Sequence, residues 1–497
     1  MSFVSELEPR SLWLHFDEIL KIPRGSKNEQ AIRDYVIGVA KRHNLAYRQD
    51  RAGNLVVVKP GQPEATSDLV VLQCHLDMVN EKDNDHPHDF LKDPIIPVRE
   101  NGYLTAKGTT LGADNGIGIA TCLAIIEDKS LTHPSLELLF TVDEETGLTG
   151  ASQLDVDFLE GTRLINLDSE EENSIYIGCA GGSGVDLTLP ISRTPVKENK
   201  QAFLVEVKGL RGGHSGVDIH LQRANAIKLL ARLLYTSFKE HPFDLLALLG
   251  GNMHNAIPRE ATATIVLERE HASPFRHLVE GTFEKIREEY ETADPDMSLA
   301  VSSCEKDAEG VAEESKLKIL YLLNALPHGV IAMSQEIQGL VETSANLATA
   351  ELLDDQFRIH VSTRSSRQSA LEALQEHIEV IGKSAGAQVA WIEGYPGWTP
   401  DLESPLLEIA QKVHQEILGV EPNVKAIHAG LECGIIKEKY PRMDMISIGP
   451  QIEFPHSPRE RVEIESVSRF HRFLGALLEA LVPKNAAQVA LHHKNNG

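Results

Sequence analysis

Across residues 1–183, segments with helical spacing of apolar residues alternate with short runs that are apolar almost throughout. In EQAIRDYVIGVAKRHNL, apolar side chains recur at Ile32, Val36 and Val39, and this spacing predicts an amphipathic helix. The stretches NLVVVKP, SDLVVLQCHLD, LELLFTVDEE and TRLINLDSEE are instead short and aliphatic, which predicts strands. Strands that are apolar along their whole length are typical of a mostly parallel sheet covered by helices, so we expect an α/β domain.

The pattern changes across residues 184–397. The stretches AFLVEVKG, ATATIVLE and QFRIHVSTRSS alternate apolar and polar positions, so that Phe357, Ile359 and Val361 point to one side. Such alternation predicts an antiparallel sheet with one face in water. Long amphipathic helices, including SALEALQEHIEVIGKSAG, lie between these strands, and we therefore expect an α+β domain.

The stretch GYPGWTPDLESP is a Pro- and Gly-rich junction, after which the α/β pattern returns. We therefore predict that residues 1–183 and 398–484 form one domain and that residues 184–397 form a second domain inserted into it. The segment 485–497 is predicted to be a loose tail.

The net charge and the amino-acid composition limit the classes of protein to which this chain can belong. Lys and Arg number 48 against 73 Asp and Glu, a net charge of −25, which disfavours nucleic acid and anionic membranes as partners. No apolar run approaches the roughly 20 residues of a membrane helix, and the N-terminal segment lacks the pattern of a signal peptide. The five cysteines are scattered without a CxxC motif, so we expect reduced thiols and a cytoplasmic protein.

Side chains with metal-binding and acid–base chemistry follow several of the predicted strands directly. The carboxyl ends of strands in an open parallel sheet line its functional crevice, so these side chains are expected to converge. A further carboxylate, Asp114, precedes a helix in which Gly116 and Gly118 allow a tight loop. The residues that follow strands are His75, Asp77, Glu144, Glu145, Asp168 and His456.

The adjacent carboxylates in LELLFTVDEETG repel one another, and burying them unpaired would be costly. A divalent cation removes that cost, and one Asp shared by two cations would place them about 3.5–4 Å apart. Glu144 and Glu145 are consecutive and diverge, so one can bind metal while the other stays free as a general base. Asp77 shares a strand face with His75 and can orient its imidazole.

Each of these residues also has an ordinary interpretation. Asp114 can be a helix N-cap, His75 a hydrogen-bonded core histidine, and Asp168 part of an acidic loop. The stretch GCAGGSG reads as a domain hinge, and GLRGGHSG as either a glycine-rich turn or a mobile lid that carries His214. Arg364 can bind a carboxylate or pair with surface acid. The convergence of several strand ends favours the metal site.

Taken together and in order, the motifs HLDMV, GTTLGADNGIG, DEETG, NLDSEEE, KGLRGGHSG, NAIPRE, HAGLECG and PHSPRE resemble those of the bacterial aminoacyl-histidine dipeptidases. This family is also called the cytosolic non-specific or β-alanyl-histidine dipeptidases, and its members are di-zinc metallopeptidases related to carboxypeptidases and aminoacylases. The resemblance implies hydrolysis of unblocked dipeptides, including Xaa-His dipeptides. It also implies a di-zinc catalytic domain, with the insert acting as lid and homodimerisation domain. An N-acyl-amino-acid deacylase on the same scaffold is the alternative.

The resemblance also implies roles for single residues. Asp114 would bridge two zinc ions, which Mn or Co can replace, and Glu144 would be the general base of water activation. Asp77 would orient His75, and His214 would stabilise the oxyanion in the active site of the other subunit. The remaining metal ligands would be His75, Asp168, Glu145 and His456, and the substrate would be held by Asn255, Arg364 and Gly430, with Arg364 on its carboxylate.

The sequence departs from the family pattern at two positions beside the predicted site. Cys74 stands directly before His75, where alanine is more usual, and its thiol is expected on the opposite strand face. Asp143 stands where many relatives have a neutral residue, and we expect it to influence the acidity of the base.

Overall fold

A computed structural model describes residues 4, 6–61, 69–305 and 309–482. The predicted tail at 485–497 lies outside these residues. The chain forms two compact units. The first unit contains the described residues of 1–178, 400–426 and 431–497, and the second contains those of 179–399 and 427–430.

The first unit is built on an eight-stranded sheet that is parallel at its centre. The four central strands run parallel, whereas the strands beside them pair antiparallel. Central strands Val70–His75 and Leu136–Thr141 are buried at every residue, as expected for a sheet covered on both faces. The α/β class is thus confirmed. In order, the strands are Ala46–Gln49, Leu55–Lys59, Leu136–Thr141, Val70–His75, Arg163–Asn166, Asp444–Ser447, Ser174–Cys179 and Asn423–Ile427.

Helices and a small second sheet complete this unit. The predicted helix appears as Gln30–Arg42 and buries Ile32, Val36 and Val39. No helix in the described ranges is long and apolar enough to span a membrane. The other helices are Arg10–Ile19, Ala113–Glu127, Glu144–Gly147, Thr149–Gln153, Pro405–Leu418, Glu432–Lys439 and Ile464–Ala480. The small sheet contains Ile452–Glu453, Arg461–Glu463, Tyr103–Ala106 and Pro97–Glu100.

The second unit contains a nine-stranded sheet whose strand pairs are antiparallel. Phe357, Ile359 and Val361 are buried in its core, as the alternation predicts. Eight strands lie in the order Ser298–Cys304, Lys200–Lys208, Ala261–Glu268, Asp244–Gly250, Val341–Leu352, Gln356–Ser365, Gly181–Pro190 and Gln388–Tyr395, and Gly329–Met333 pairs with Val341–Leu352. Short pairs join Gly213–His214 with Ala256–Ile257 and Arg193–Pro195 with Glu309–Val311.

The helices of this unit share one hydrophobic core with the inward face of the sheet. The helices are Ala226–Glu240, Ala272–Glu289, Glu313–Ala325 and Gln368–Ala385, with 3-10 turns at Ile219–Leu221 and Arg269–His271. The stretch GCAGGSG was predicted to be a domain hinge, and the boundary between the two units falls within it, between residues 178 and 179, while Gly181, Gly182 and Gly184 lie inside the strand Gly181–Pro190. A Cβ would not fit at these positions, because Gly181 packs against the backbone of residues 395–397, Gly182 against the side chain of Tyr395, and Gly184 against that of His360.

Candidate metal centre

His75 ends the central strand Val70–His75, and Asp77 lies two residues beyond it, both almost fully buried. The Nδ1 atom of His75 is 3.3 Å from Oδ1 of Asp77. Asp77 also accepts the hydroxyl of Ser26 at 2.7 Å and the backbone N–H groups of Glu144 and Glu145 at 3.1 and 3.2 Å. Burial raises the pKa of Asp77, but the contacts with His75, Ser26 and the Glu144 N–H outweigh it and lower that pKa to about 2. Asp77 therefore remains charged and links the histidine to the glutamate turn.

Asp114 lies between two histidines. Its Oδ1 is 3.0 Å from Nε2 of His75, and its Oδ2 is 3.1 Å from Nε2 of His456. Oδ1 of Asp168 is 3.3 Å from His75 Nε2, and Oε2 of Glu145 is 3.1 Å from His456 Nε2. In each resulting group of three residues, the candidate ligand atoms all lie within 4.8 Å of one another. Asp114 belongs to both groups.

The carboxylates in this cluster hold protons on the histidines. Hydrogen bonds to Asp114 and Glu145 raise the pKa of His456 to about 11. Burial lowers the pKa of His75, but Asp168 and Asp114 outweigh it and raise that pKa well above its usual value. Burial raises the pKa of Asp168 to about 6, although His75 acts in the opposite direction. Positive charge is therefore strongly favoured at both histidines.

The same residues fit divalent cations. Oε1 of Glu145 is buried and has no hydrogen-bond partner within the described ranges. In those ranges, the ion-pair partners of Asp114, Glu145 and Asp168 are histidines, with no Lys or Arg among them. Imidazole nitrogen and carboxylate oxygen are ligands that Zn²⁺, Mn²⁺ and Co²⁺ accept, and a metal ion displaces the proton from a histidine that binds it.

Glu144 lies beside these groups without joining the two that contain Asp114. It can form a further group of potential ligand atoms with His75 and Glu145. Burial raises the pKa of Glu144 well above its usual range, with His75 opposing and Asp168 reinforcing the effect. A buried carboxyl with a raised pKa is suited to accept and release a proton.

Asp143 is stabilised by protein groups rather than by this cluster. Its backbone takes a left-handed conformation (φ 52°) that ends the strand, and its N–H donates to Oε1 of Glu29 at 3.1 Å. Its carboxylate accepts the Thr146 hydroxyl at 2.5 Å and the Thr149 hydroxyl. The three adjacent acids of DEE are thus divided, because Asp143 forms the turn while Glu144 and Glu145 begin the short helix Glu144–Gly147.

His456 reaches the cluster from a loop rather than from a central strand. The central strand Asp444–Ser447 ends well before it, and the short strand Ile452–Glu453 of the small sheet precedes it. His456 itself has a positive φ of 58°. As predicted, His456 follows the strand Asp444–Ser447 along the chain. The small sheet, which contains Ile452–Glu453, also helps to position it.

The loop before Asp114 is held by Glu460, a residue that the sequence interpretation missed. Its carboxylate accepts the backbone N–H groups of Leu111, Gly112, Ala113 and Asp114 at 2.7–3.3 Å. The backbone at the start of the helix Ala113–Glu127 is non-helical at Asp114 and Asn115, and both carboxylate oxygens of Asp114 face histidines rather than the backbone N–H groups that an N-cap would accept. Glu460 follows His456 closely in PHSPRE, but no pattern in the sequence marks its partner loop.

Two further buried polar residues support the cluster. Arg24 donates to the carbonyl oxygens of Leu76, Asp77 and Gly112, and so connects the loops that carry His75 and Asp114. Asn115 donates to Asp168 and, at 2.9 Å, to the carbonyl of Leu167. Neither residue has a sequence signal of its own, because each acts through loops that are distant along the chain.

The second unit holds His214 in a defined tautomer. Nδ1 of His214 accepts the backbone N–H groups of Gly216 and Val217, each at 3.2 Å, so the proton of the neutral ring lies on Nε2. Burial and the nearby Arg364 lower the pKa of His214 to about 4. The residue is therefore a neutral imidazole with one N–H available to donate.

Arg364 lies close to His214 and has an incomplete set of partners. Its Nη1 donates to the Tyr395 hydroxyl at 2.6 Å, while its buried Nε has no partner among the described residues. A Cβ at Gly216 would lie 3.1 Å from Cε1 of His214 and 3.2 Å from Nε of Arg364, so the glycine permits their close approach. This arrangement offers hydrogen-bond donors to an anion.

The two other predicted substrate residues take part through their backbone. The carbonyl of Asn255 accepts the N–H of Ser215 at 2.8 Å, which fixes the loop after His214. Gly430 packs on the ring of Tyr395, where a Cβ would come within 2.5 Å of Cε2. In the second unit, Arg364 and Gly430 thus contact Tyr395, and His214 lies close to Arg364.

Comparisons with known proteins agree with one another, and their matches extend over nearly the whole chain. The model of peptidase family M20/M25/M40 matches residues 71–480. The cytosol non-specific dipeptidase of Escherichia coli (strain K12) is 41% identical over 489 residues, covering 97% of this chain and 100% of that protein. The crystal structure of aminoacylhistidine dipeptidase from Vibrio alginolyticus superposes with a TM-score of 0.90 at 41% identity, covering 98% of this chain and 99% of that chain. A tripeptidase from Staphylococcus aureus shares the fold, with a TM-score of 0.57 at 16% identity over 95% of this chain and 98% of that chain.

Proposed function

The chain belongs to the M20/M25/M40 family of peptidases, and from this premise we propose that it is a metal-dependent dipeptidase. Its substrates are unblocked dipeptides, including Xaa-His dipeptides such as β-alanyl-histidine. The observation that carries this proposal is the position of Asp114, whose two oxygens face His75 and His456 at 3.0 and 3.1 Å. The names of two relatives that are each 41% identical, a non-specific dipeptidase and an aminoacylhistidine dipeptidase, support the substrate class.

The proposed cofactors are two Zn²⁺ ions that share Asp114. His75 and Asp168 would hold one ion with it, and Glu145 and His456 the other. Mn²⁺ and Co²⁺ are expected to substitute, because they accept the same nitrogen and oxygen ligands. When bound, such ions lower the pKa of water and polarise a carbonyl group.

Residues of the first unit would then manage the protons. Glu144 takes a proton from the attacking water and gives it to the leaving amine, a role supported by its burial and its raised pKa. Asp77, 3.3 Å from Nδ1 of His75, holds that ring in the tautomer whose Nε2 is free.

Residues of the second unit would bind the substrate. Arg364 donates hydrogen bonds to the C-terminal carboxylate from its guanidinium, whose Nε lacks a partner among the described residues. His214 donates its Nε2–H to the developing oxyanion in the active site of the other subunit of the dimer, a role for which a neutral imidazole is suited. Asn255 and the backbone near Gly430 would provide the remaining contacts with the substrate.

The assembly and location of the protein are also part of the proposal. From the family resemblance we infer a cytoplasmic homodimer formed through the inserted domain. The word cytosol in the name of the Escherichia coli relative supports the compartment. Sedimentation equilibrium of the full chain and of a truncated form lacking the insert would test the dimer.

The activity is tested by removing metal with a chelator, restoring Zn²⁺, and assaying β-alanyl-histidine, glycyl-leucine and N-acetyl-leucine. We expect metal-dependent cleavage of both dipeptides and none of the acetylated amino acid. Cleavage of N-acetyl-leucine alone, by protein that carries two bound metal ions, would instead identify an N-acyl-amino-acid deacylase.

A further inference from the structure

We propose that Glu432 is a positioning residue for the metal centre, and that it holds in place the strand ends that lead to His75 and Asp168. This inference rests on the proposed function, because it takes His75 and Asp168 as ligands of one metal ion. Glu432 lies in the motif HAGLECG, in which Gly430 was the residue with a predicted role. It begins the helix Glu432–Lys439 and is 1% exposed.

One oxygen of this carboxyl connects two central strands of the first unit. Oε2 of Glu432 accepts the Thr141 hydroxyl at 2.7 Å and the side-chain amide of Gln73 at 2.6 Å. Thr141 ends one strand and is paired with His75 in the next, whereas Gln73 lies two residues before His75 and shares its strand face. Glu432 thus links the two strands at the level of a proposed metal ligand.

The hydrogen bonds continue from Gln73 across the sheet. Oε1 of Gln73 accepts the side-chain amide of Asn166, and Oδ1 of Asn166 accepts the Ser447 hydroxyl, each at 2.5 Å. Asn166 lies opposite both residues in the strand register, and it precedes Asp168 by two positions. Together with Thr141, these side chains form a polar row that crosses all four parallel central strands.

The members of this polar row are buried, so their hydrogen bonds constrain them. Gln73, Thr141 and Ser447 are fully buried, and Asn166 is 1% exposed. A buried polar group that loses its partner is unfavourable, and each member therefore keeps its neighbours in place. Without the carboxyl of Glu432, the amide of Gln73 would retain the longer contact with the Thr141 oxygen, at 3.2 Å.

The polar row lies directly beneath the proposed ligands of one ion. The pairing of the strands that lead to His75 and Asp168 ends at Gln73 and Asn166, which are members of the row. Groups that orient metal ligands typically change metal affinity by about 10–100-fold. His456, a proposed ligand of the other ion, follows a strand of the small sheet instead. We therefore expect Glu432 to act mainly on the ion of His75 and Asp168.

The form of the carboxyl determines which substitutions are informative. Oε1 of Glu432 has no hydrogen-bond partner within the described ranges, so Oε2 makes the contacts with the polar row. Burial raises the pKa of Glu432 to about 7, although His75 and the Thr141 hydroxyl oppose this effect. The uncharged amide of glutamine offers the same acceptor oxygen, whereas leucine has a similar size and no acceptor.

The test titrates the metal-free full chain with Co²⁺ and follows the visible absorption of the bound ion, which reports binding without an activity assay. In the wild type we expect two bound ions. Glu432→Leu should weaken the binding of one of them about 10–100-fold, and Glu432→Gln should restore nearly the wild-type affinity. Glu438→Leu, at an exposed position of the same helix, is the matched control and should bind both ions like the wild type.

Variants of the proposed ligands show which ion is affected. In a His456→Ala background, Glu432→Leu should still weaken the remaining ion about 10–100-fold. In an Asp168→Ala background, it should leave the remaining ion nearly unchanged. If Glu432→Leu does not fold, Gln73→Leu removes the same hydrogen bond from the other side and should weaken the same ion.

Three outcomes would overturn this inference and leave the dipeptidase proposal intact. They are wild-type binding of both ions by Glu432→Leu, equal weakening of both ions, and failure of Glu432→Gln to restore the affinity. A wild-type protein that binds no Co²⁺ and no Zn²⁺ would overturn both proposals.

Discussion

His75 and His456 of the first unit and His214 and His428 of the second all lie close to charged groups, but their surroundings favour the charged form of the first pair and the neutral form of the second. In the first unit, Asp114 and Glu145 raise the pKa of His456 to about 11, and the carboxylates around His75 raise its pKa despite burial. In the second unit, burial and Arg364 lower the pKa of His214 to about 4 and that of His428 to about 3.

The neighbours of each ring account for this difference. An imidazole among carboxylates occupies a place where positive charge is stabilised, and a divalent cation can take over that role. An imidazole beside a guanidinium that lacks a carboxylate partner stays neutral and can only donate or accept a hydrogen bond. The first arrangement suits metal ions, and the second suits the carboxylate and the oxyanion of a substrate.

The largest effect should follow the loss of the proposed base in the acidic cluster. Glu144→Gln preserves the shape of the side chain and removes its ability to accept a proton. We expect kcat to fall about 10²–10⁴-fold while the metal content stays at the wild-type value. Activity assays combined with metal analysis of the purified protein would measure both quantities.

Glu145→Gln is the matched control, because it changes the adjacent carboxylate in the same way. Oε2 of Glu145 lies 3.1 Å from Nε2 of His456, so this variant should lose metal as well as activity. If Glu144→Gln lost metal and Glu145→Gln kept it, the two roles would have to be exchanged.

The next largest effect is expected at the neutral histidine of the second unit. His214→Ala removes the proposed oxyanion donor, and we expect kcat to fall about 10²–10³-fold with a smaller change in KM. His220→Ala, at an exposed position of the same segment, should behave as wild type. An unchanged kcat in His214→Ala would make this residue structural and would remove the functional contrast between the two histidine pairs.

The hydrophobic periodicity of the sequence was sufficient to predict the main helices and strands of both units. Runs such as Leu138-Leu139-Phe140 are apolar at both faces, so their burial in a covered sheet follows from composition, whereas the burial of Glu137 in the same strand does not. The alternation at Phe357, Ile359 and Val361 likewise specifies which face of the antiparallel sheet is buried. The antiparallel flanks of the first sheet were not predicted, because strand direction depends on connections that periodicity does not report.

The candidate site was predictable where chemistry follows a strand and not where it depends on distant loops. His75 and Asp168 come directly after central strands, and the structure places them 3.3 Å apart. Glu460 holds the loop of Asp114 from a position 346 residues away along the chain. Local spacing contains no information on such a pair. Residues 427–430 belong to the second unit, although the residues on both sides of them belong to the first. The local sequence does not indicate this change of unit either.

The smallest effect concerns pH and the buried histidine His428. Its Nε2 lies 2.7 Å from the Ser344 hydroxyl, and burial, together with Arg364 and His214, lowers its pKa from 6.5 to about 3. Between these two pKa values the unfolded chain binds a proton that the folded protein does not. Unfolding therefore takes up this proton, and the stability that the residue contributes is lost as the pH falls from 6.5 toward 3.

His428→Gln removes this titration and keeps a polar side chain beside Ser344. We expect the variant to be less stable at pH 7 but less sensitive to acid, with a slope of unfolding free energy against pH reduced by up to about 1.4 kcal/mol per pH unit. Urea denaturation at pH 7, 6 and 5, with equal metal loading, measures this slope, and His277→Gln, at an exposed histidine of the same unit, serves as control. A slope equal to that of the wild type would mean that His428 is not kept neutral by its surroundings. The contrast with the carboxylate-bound histidines of the first unit would then rest on His214 alone.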